Sequence, residues 1–441
     1  MNKLIKLLIA TFCLFQIQNS IAALTDTFGI GTRNIFLGGA ADITDGGAYA
    51  SKGNPASLTK INKMLMDTSL QVNSPSLDST KLVLSDPTTS GLTADSYDAS
   101  NAGNMNAMTF GMVLPLGSRL TFGVSGAVPV GSLIKVYTYS GKESNYLHYM
   151  DRQARPEVYV GLGIKLWGPL SIGLGAFFSL KTDGIIQSAM SDTDQENRMQ
   201  LELKPILVPY GGILWTQKLA EDEELIIGAN YRAEHNAEAT LKVDIRVGVG
   251  SIGMIPIQAE SQLLAFYDPA KIGLGIGFKN KNIGTYFGLE NIQYSKFKAN
   301  VMVMNNGIFD GLENGEFSRN PIKLQDSWII RSGFELKEWA PIFTGKVTSQ
   351  IGFEYHTSAL PSDPTSLAIL DTDKTVVNIG SGFRFPKIKE LIKMPITINL
   401  GFKWTHLFDE SLTVVNSTGG VSSAQIGGNV YSFITGVAVE I

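Results

Sequence analysis

Residues 394–405 read MPITINLGFKWT. Ile396, Ile398, Leu400, Phe402 and Trp404 alternate with Thr397, Asn399, Gly401, Lys403 and Thr405. Successive strand side chains point to opposite faces, so this segment carries one apolar and one polar face. The first suits lipid, the second a wet or polar lumen. One such strand decides little. About fourteen in a row, in an even-numbered meander, predict a membrane β-barrel.

Working outward, strands are expected at roughly 64–73, 105–116, 118–129, 156–167, 169–181, 203–217, 224–243, 267–279, 283–299, 326–338, 346–358, 374–385, 394–410 and 427–441. The links between them alternate in length. Gly117-Ser118, Gly168-Pro169 and Asn280-Lys281-Asn282 are tight turns, whereas 74–104, 130–155, 182–202, 244–266, 300–325, 359–373 and 411–426 are long. Outer-membrane barrels sort their loops this way, short on the periplasmic side and long outside. The dyad repeats: Val158, Val160, Leu162 and Ile164 alternate with Glu157, Tyr159, Gly161 and Gly163. Arg384 or Lys403 in lipid would cost about 2–4 kcal/mol at the midplane, so both belong to the inward face. Glu157, Glu335 and Glu354 share that register with Arg331 and Lys165, which predicts a lumen of partly paired charges. Glycine, 46 residues in all, often falls on the same inward register. The chain ends with Tyr431, Phe433, Val437, Val439 and Ile441 on one face, where such barrels more often close on an aromatic residue.

Composition sets the bounds. The chain has 441 residues and a net charge of −4, which argues against a nucleic-acid partner. No segment of the body reaches the ~20 consecutive apolar residues that a spanning helix needs. Lys3 and Lys6 followed by the apolar stretch 7–17 and by Ser20-Ile21-Ala22 have the layout of a signal peptide, residues 1–22. Its Cys13 has no lipobox and is the single cysteine of the chain, so the mature protein is expected to form no disulfide. The expected location is the outer membrane of a Gram-negative-type bacterium. The expected surroundings are the lipid bilayer, lipopolysaccharide and the barrel assembly machinery, with the chain a monomer.

Two regions leave the strand pattern. Residues 23–62 mix glycines with apolar anchors such as Phe28, Ile30 and Ile35–Leu37. A tail would be more charged and less apolar, so a compact plug is favoured. Residues 247–266 fall in an expected external loop yet carry Ile252, Met254, Ile255, Ile257, Leu263, Leu264 and Phe266. A contiguous apolar surface usually marks a binding site, although packing that caps the barrel is the plainer reading.

Gly38-Gly39-Ala40, Gly46-Gly47-Ala48 and Asn54-Pro55-Ala56 resemble the N-terminal hatch of the FadL-type long-chain fatty acid transporters. Tyr231-Arg232-Ala233-Glu234, Asp268-Pro269-Ala270, Asn291–Phe297 and Gly352-Phe353-Glu354-Tyr355 followed by Leu360-Pro361-Ser362-Asp363 resemble further pieces in the family's order. The likeness spans the mature chain. It implies an all-β fold, a transmembrane antiparallel barrel of about fourteen strands (63–441) plugged by an N-terminal hatch (23–62). It also implies passive uptake of long-chain fatty acids or other hydrophobic molecules through an apolar loop groove, a lumen pocket and sideways release at a kinked third strand. Related barrels with Gly-rich N-termini serve protein secretion, which leaves a structural or shuttle role as the alternative.

Each candidate has a plainer reading. Asn54-Pro55-Ala56, with Gly38, Gly39 and Phe28, either shapes a static plug or belongs to a hatch that shifts with ligand. Pro129 and Gly131 either end a strand or open the wall, since proline cannot donate a ladder hydrogen bond. Arg232 and Glu234 are expected on one inward face as an ion pair, with a carboxylate-binding role for Arg232 as the alternative. Catalysis is not expected: His148, His235, His356 and His406 are scattered without metal-ligand spacing, and no Gly-x-Ser-x-Gly elbow occurs. No metal and no cofactor is called for.

Overall fold

The alternating segments form strands whose two faces separate as the residues dictate. In the computed structural model Ile398, Leu400, Phe402 and Trp404 are exposed on the outside, while Asn399, Lys403 and Thr405 are buried within. The structure describes residues 24–78, 83–85, 105–131, 145–149, 155–190, 195–248, 254–297, 302–303, 322–343, 345–367, 369–386, 394–415 and 421–441, side chains in 83–85, 179–204, 236–266, 302–303, 415 and 421–422 excepted. The expected signal peptide and Cys13 lie outside the described residues.

Fourteen strands run β1 (Leu65–Leu77), β2 (Ala107–Pro115), β3 (Leu120–Pro129), β4 (Glu157–Lys165), β5 (Leu170–Met190), β6 (Gln195–Ala220) and β7 (Glu223–Arg232). They continue as β8 (Lys271–Lys279), β9 (Ile283–Ile292), β10 (Ser327–Ile342), β11 (Gly345–His356), β12 (Lys374–Phe385), β13 (Ile396–Val415) and β14 (Val421–Glu440). Each pairs antiparallel with the next, and β14 pairs back onto β1 from Leu65↔Glu440 to Leu77↔Gly428. The sheet therefore closes on itself and has no free edge in the wall, as a barrel in lipid requires.

The expected long loops 182–202, 244–266 and 411–426 are corrected. β5 and β6 run on as one hairpin as far as Met190↔Gln195, and β13 and β14 do the same to Val415↔Val421. Between β7 and β8 an accessory hairpin, His235–Gly248 with Met254–Asp268, stands beside the β5 extension in parallel register, Leu241↔Gly184 to Val247↔Met190. Leu241, Val243, Ile245 and Val247 keep a two-residue alternation of strand-forming residues on the first arm, and pairing satisfies backbone groups that a loose loop would leave to water.

The N-terminal segment lies inside the ring. It folds as α1 (Leu24–Phe28), α2 (Thr32–Phe36), a 3₁₀ turn at Gly47–Tyr49, α3 (Ala50–Gly53) and a second 3₁₀ turn at Pro55–Lys60. These helices are too short to stand alone, so packing against the wall must hold them. Glycines on the inward register let that wall come close. A Cβ at Gly380 or Gly401 would overlap the Phe36 ring, one at Gly173 the Ala56 backbone, and one at Gly352 the Gly38 backbone. Gly38 and Gly39 themselves sit at φ +63° and +66°, a region L side chains rarely adopt.

Candidate functional site

Asn54 fixes the far end of the N-terminal segment. It is fully buried and caps the second 3₁₀ turn, its Oδ1 accepting from the Ala56 N–H at 3.0 Å. Its Nδ2 donates to the Ile43 carbonyl at 2.9 Å and to the Ile213 carbonyl of β6 at 3.0 Å. Pro55 follows at the first position of that turn, where its missing N–H costs nothing. The motif thus joins the segment to itself and to the wall.

Charge holds the rest. On α1, Asp26 lies 2.8 Å from Arg232 of β7, 3.0 Å from Lys271 of β8 and 3.4 Å from Lys52 of α3. The chain of charge continues along the wall from Lys271 to Glu290, Arg331 and Glu354, and ends at Lys403. Lys403 also donates to the Thr27 and Phe28 carbonyls at 3.4 Å, satisfying the end of α1. Nearer the short turns, Arg33 pairs with Glu335 at 2.8 Å, and Lys279 with Asp45 at 3.2 Å. Burial pushes the Asp26 carboxyl up, but Arg232, Lys271 and Lys52 together hold it well below the usual carboxylate range. Asp45 is likewise held low, burial being outweighed by Lys279 and Arg33.

The expected partnership of Arg232 with Glu234 is corrected. Arg232 is buried and bonds Asp26, whereas Glu234 is exposed. β7 ends at Arg232, and the chain turns into the accessory hairpin before Glu234, so the dyad no longer carries that side chain inward.

A cavity of about 70 Å³ lies between the N-terminal segment and the wall, lined among others by Asp26, Asp42, Arg232, Glu290, Arg331 and Glu354. Phe28 lines it too, and on its other side packs edge-on to Tyr149 with ring centroids 6.1 Å apart. There an apolar cluster gathers Leu24 of α1 with Tyr149, Tyr267, Tyr294, Phe297 and Leu360 from the segments between the barrel strands. The polar cavity and the apolar cluster therefore meet at Phe28.

Of the groove candidates, Ile252 lies outside the described residues. Met254, Ile255, Ile257, Leu263, Leu264 and Phe266 sit on the second arm of the accessory hairpin. Pro129 is buried and faces Ala107 of β2, while the β3–β4 ladder already stops at Ala127↔Glu157. Gly131 follows at φ +109°, with open space around the place a Cβ would take. α1 covers this point from inside, the Thr25 N–H and hydroxyl both bonding the Glu157 carboxylate. Sequence reasoning missed Asp26, Asp42 and Lys52, which follow no dyad. It missed the aromatic cluster as well, because Tyr149, Tyr267 and Leu360 come from three distant connections. Among the described residues no group of His, Cys, Asp and Glu could hold a metal ion.

No protein-family model and no curated protein matches the chain. Solved structures do. A Pseudomonas aeruginosa FadL homologue aligns over 97% of this chain and 99% of its own, with a TM-score of 0.60 at 14% identity. The chain has the FadL-type fold. The Ralstonia pickettii toluene transporter TbuX aligns over 93% of this chain and 98% of its own, with a TM-score of 0.51 at 15% identity. The P. putida toluene transporter TodX gives 94%, 99%, 0.50 and 14% in the same order. TbuX and TodX are toluene transporters, and at 14–15% identity the likeness of this chain to them is one of fold.

Proposed function

We propose that the protein is an outer-membrane carrier for passive uptake of hydrophobic molecules, long-chain fatty acids or hydrocarbons, with residues 23–62 acting as its hatch. The observation that carries this reading is a segment inside a closed fourteen-stranded barrel whose Leu24 and Phe28 join a buried apolar cluster. A general diffusion pore would not be blocked in this way. Cargo would be caught at the apolar arm of the accessory hairpin, each buried CH₂ adding roughly 0.8 kcal/mol, and would pass to the cluster around Phe28. It would leave sideways where β3 parts from β4 near Pro129, once α1 moves aside. The driving force is partition into successively better apolar sites, with no cofactor.

The test is to purify the barrel from outer membranes in a non-acyl detergent, identify co-purifying small molecules by mass spectrometry, and titrate labelled palmitate and toluene. Stoichiometric hydrophobic ligand with saturable binding is expected. An empty barrel that binds neither probe would overturn the reading and turn attention to a secretion partner.

A further inference from the structure

Asp42 stands apart from the other carboxylates around the polar cavity. Asp26, Glu290 and Glu354 each lie within 4 Å of cations. Asp42 makes no ion pair among the described residues, and its buried Oδ1 has no hydrogen-bond partner. The cations nearest to it are held toward other carboxylates: Lys52 toward Asp26 and the Thr25 carbonyl, Arg331 toward Glu290 and, at 3.7 Å and without a hydrogen bond from its Nε, Glu354. Gly39 holds the gap open, since a Cβ there would lie 3.1 Å from Arg331 Nε and 3.5 Å from Asp42 Oδ2. An ionised carboxylate without a partner in such a place is costly, and a proton removes that cost.

We propose that Asp42 is a proton-binding site that sets how firmly the N-terminal segment is held in the barrel. With Asp42 neutral, the five cations of the cavity lining share the carboxylates of Asp26, Glu290 and Glu354, no buried charge lacks a counter-ion, and the segment docks. With Asp42 ionised, burial strips its charge of water, and the attraction of Lys52 on α3 and Arg331 on β10, weakened by repulsion from Glu290 on β9 and Glu354 on β11, offsets that cost only in part. Lys271 and Lys403 lie further along the same wall, and His356 faces Glu354 at 3.0 Å. Burial, opposed by Lys52 and Arg331 and assisted by Glu290 and Glu354, raises this carboxyl to about 6. A carboxyl whose docked pKa lies above its free value stabilises docking below the free value, and the effect is lost as pH rises through the docked one. Between pH 5 and 7.5 this linkage loosens the segment about tenfold.

This rests on the hatch reading. Hydrogen–deuterium exchange of residues 24–60 in the purified full barrel, corrected for intrinsic rates, provides the test. The wild type should exchange about tenfold faster at pH 7.5 than at pH 5, with a midpoint near 6. Asp42→Asn should be slow and flat across that range, and His356→Gln should keep the slope. A flat wild type, an Asp42→Asn variant that retains the slope, or a His356→Gln variant that loses it would overturn the proposal. Failure of the hatch reading shows differently: a barrel with its segment covalently locked would carry cargo normally while the unlocked protein kept its pH slope.

Discussion

Asp26 Oδ2 lies 2.8 Å from Arg232 Nη2, so the cation that the sequence places in the lumen wall is spent on the N-terminal segment and not on a neighbour in its own strand. Three cations converge on that one carboxylate. Removing one partner from a buried pair leaves uncompensated charge, at a cost of about 3–5 kcal/mol. Asp26→Asn should therefore raise hydrogen exchange throughout α1 and α3 while leaving the strands protected. Asp26 also has a pH signature opposite to that of Asp42. Its carboxyl is held low, so the contribution is present above the ordinary Asp range and is lost as pH falls below it. Exchange of α1 should rise again in acid, and Asp26→Asn should abolish that acid limb.

Asn54 should be the most sensitive position of its motif. Alanine there leaves the Ile43 and Ile213 carbonyls and the Ala56 N–H without their partner. Each stranded buried group costs about 1–3 kcal/mol. Asn54→Ala should loosen the segment near residues 43–60 as read by limited proteolysis, whereas Pro55→Ala should change little, because its ring supplies no hydrogen bond. Equal protease resistance of Asn54→Ala and the wild type would refute the anchoring role.

Gly380→Val and Gly401→Val test the close approach of the wall. Both side chains would enter the space of the Phe36 ring. Overpacking of this kind costs about 1–3 kcal/mol. The barrel itself should still migrate as a heat-modifiable folded species on gels, while the N-terminal segment becomes protease-sensitive. Phe36→Ala combined with Gly380→Val should restore protection, since it removes the clash.

The wall was legible because lipid imposes a two-residue period that survives in a single sequence: each of the fourteen expected strands has its counterpart, and Lys403 faces inward as the cost of burying it in lipid demands. The lumen side was legible only in part. The apolar anchors of residues 23–62 and the motifs at Gly38 and Asn54 marked a filler, but the inward glycines were not connected with it, although the wall closes on it through them. Strand ends were less readable, because the dyad lapses in stretches such as Lys181-Thr182-Asp183-Gly184-Ile185-Ile186 while pairing continues, so β5 and β6 outran their expected limits. The pairing of Asp26 with Arg232 was not readable at all. It joins residues 206 positions apart, and nothing in a short helix of mixed composition says which strand it will meet.

A covalent lock decides whether the N-terminal segment must move. A Cβ built at Gly123 of β3 lies 3.4 Å from Ser51 Cβ of α3, close to the separation of about 3.5–4.5 Å that a disulfide takes. With Cys13, the only cysteine of the chain, replaced by Ser, a Ser51→Cys, Gly123→Cys pair should form a single defined bond. Gly123→Cys also crowds Leu58, so each single variant must first be shown to carry cargo as the wild type does. Oxidised, the double variant should lose uptake of labelled palmitate or toluene into cells, and reductant should restore it. Binding to the purified barrel should survive oxidation, because the apolar cluster around Phe28 and Tyr149 is untouched by the bond. Undiminished uptake through the oxidised barrel would mean that cargo passes beside a fixed plug.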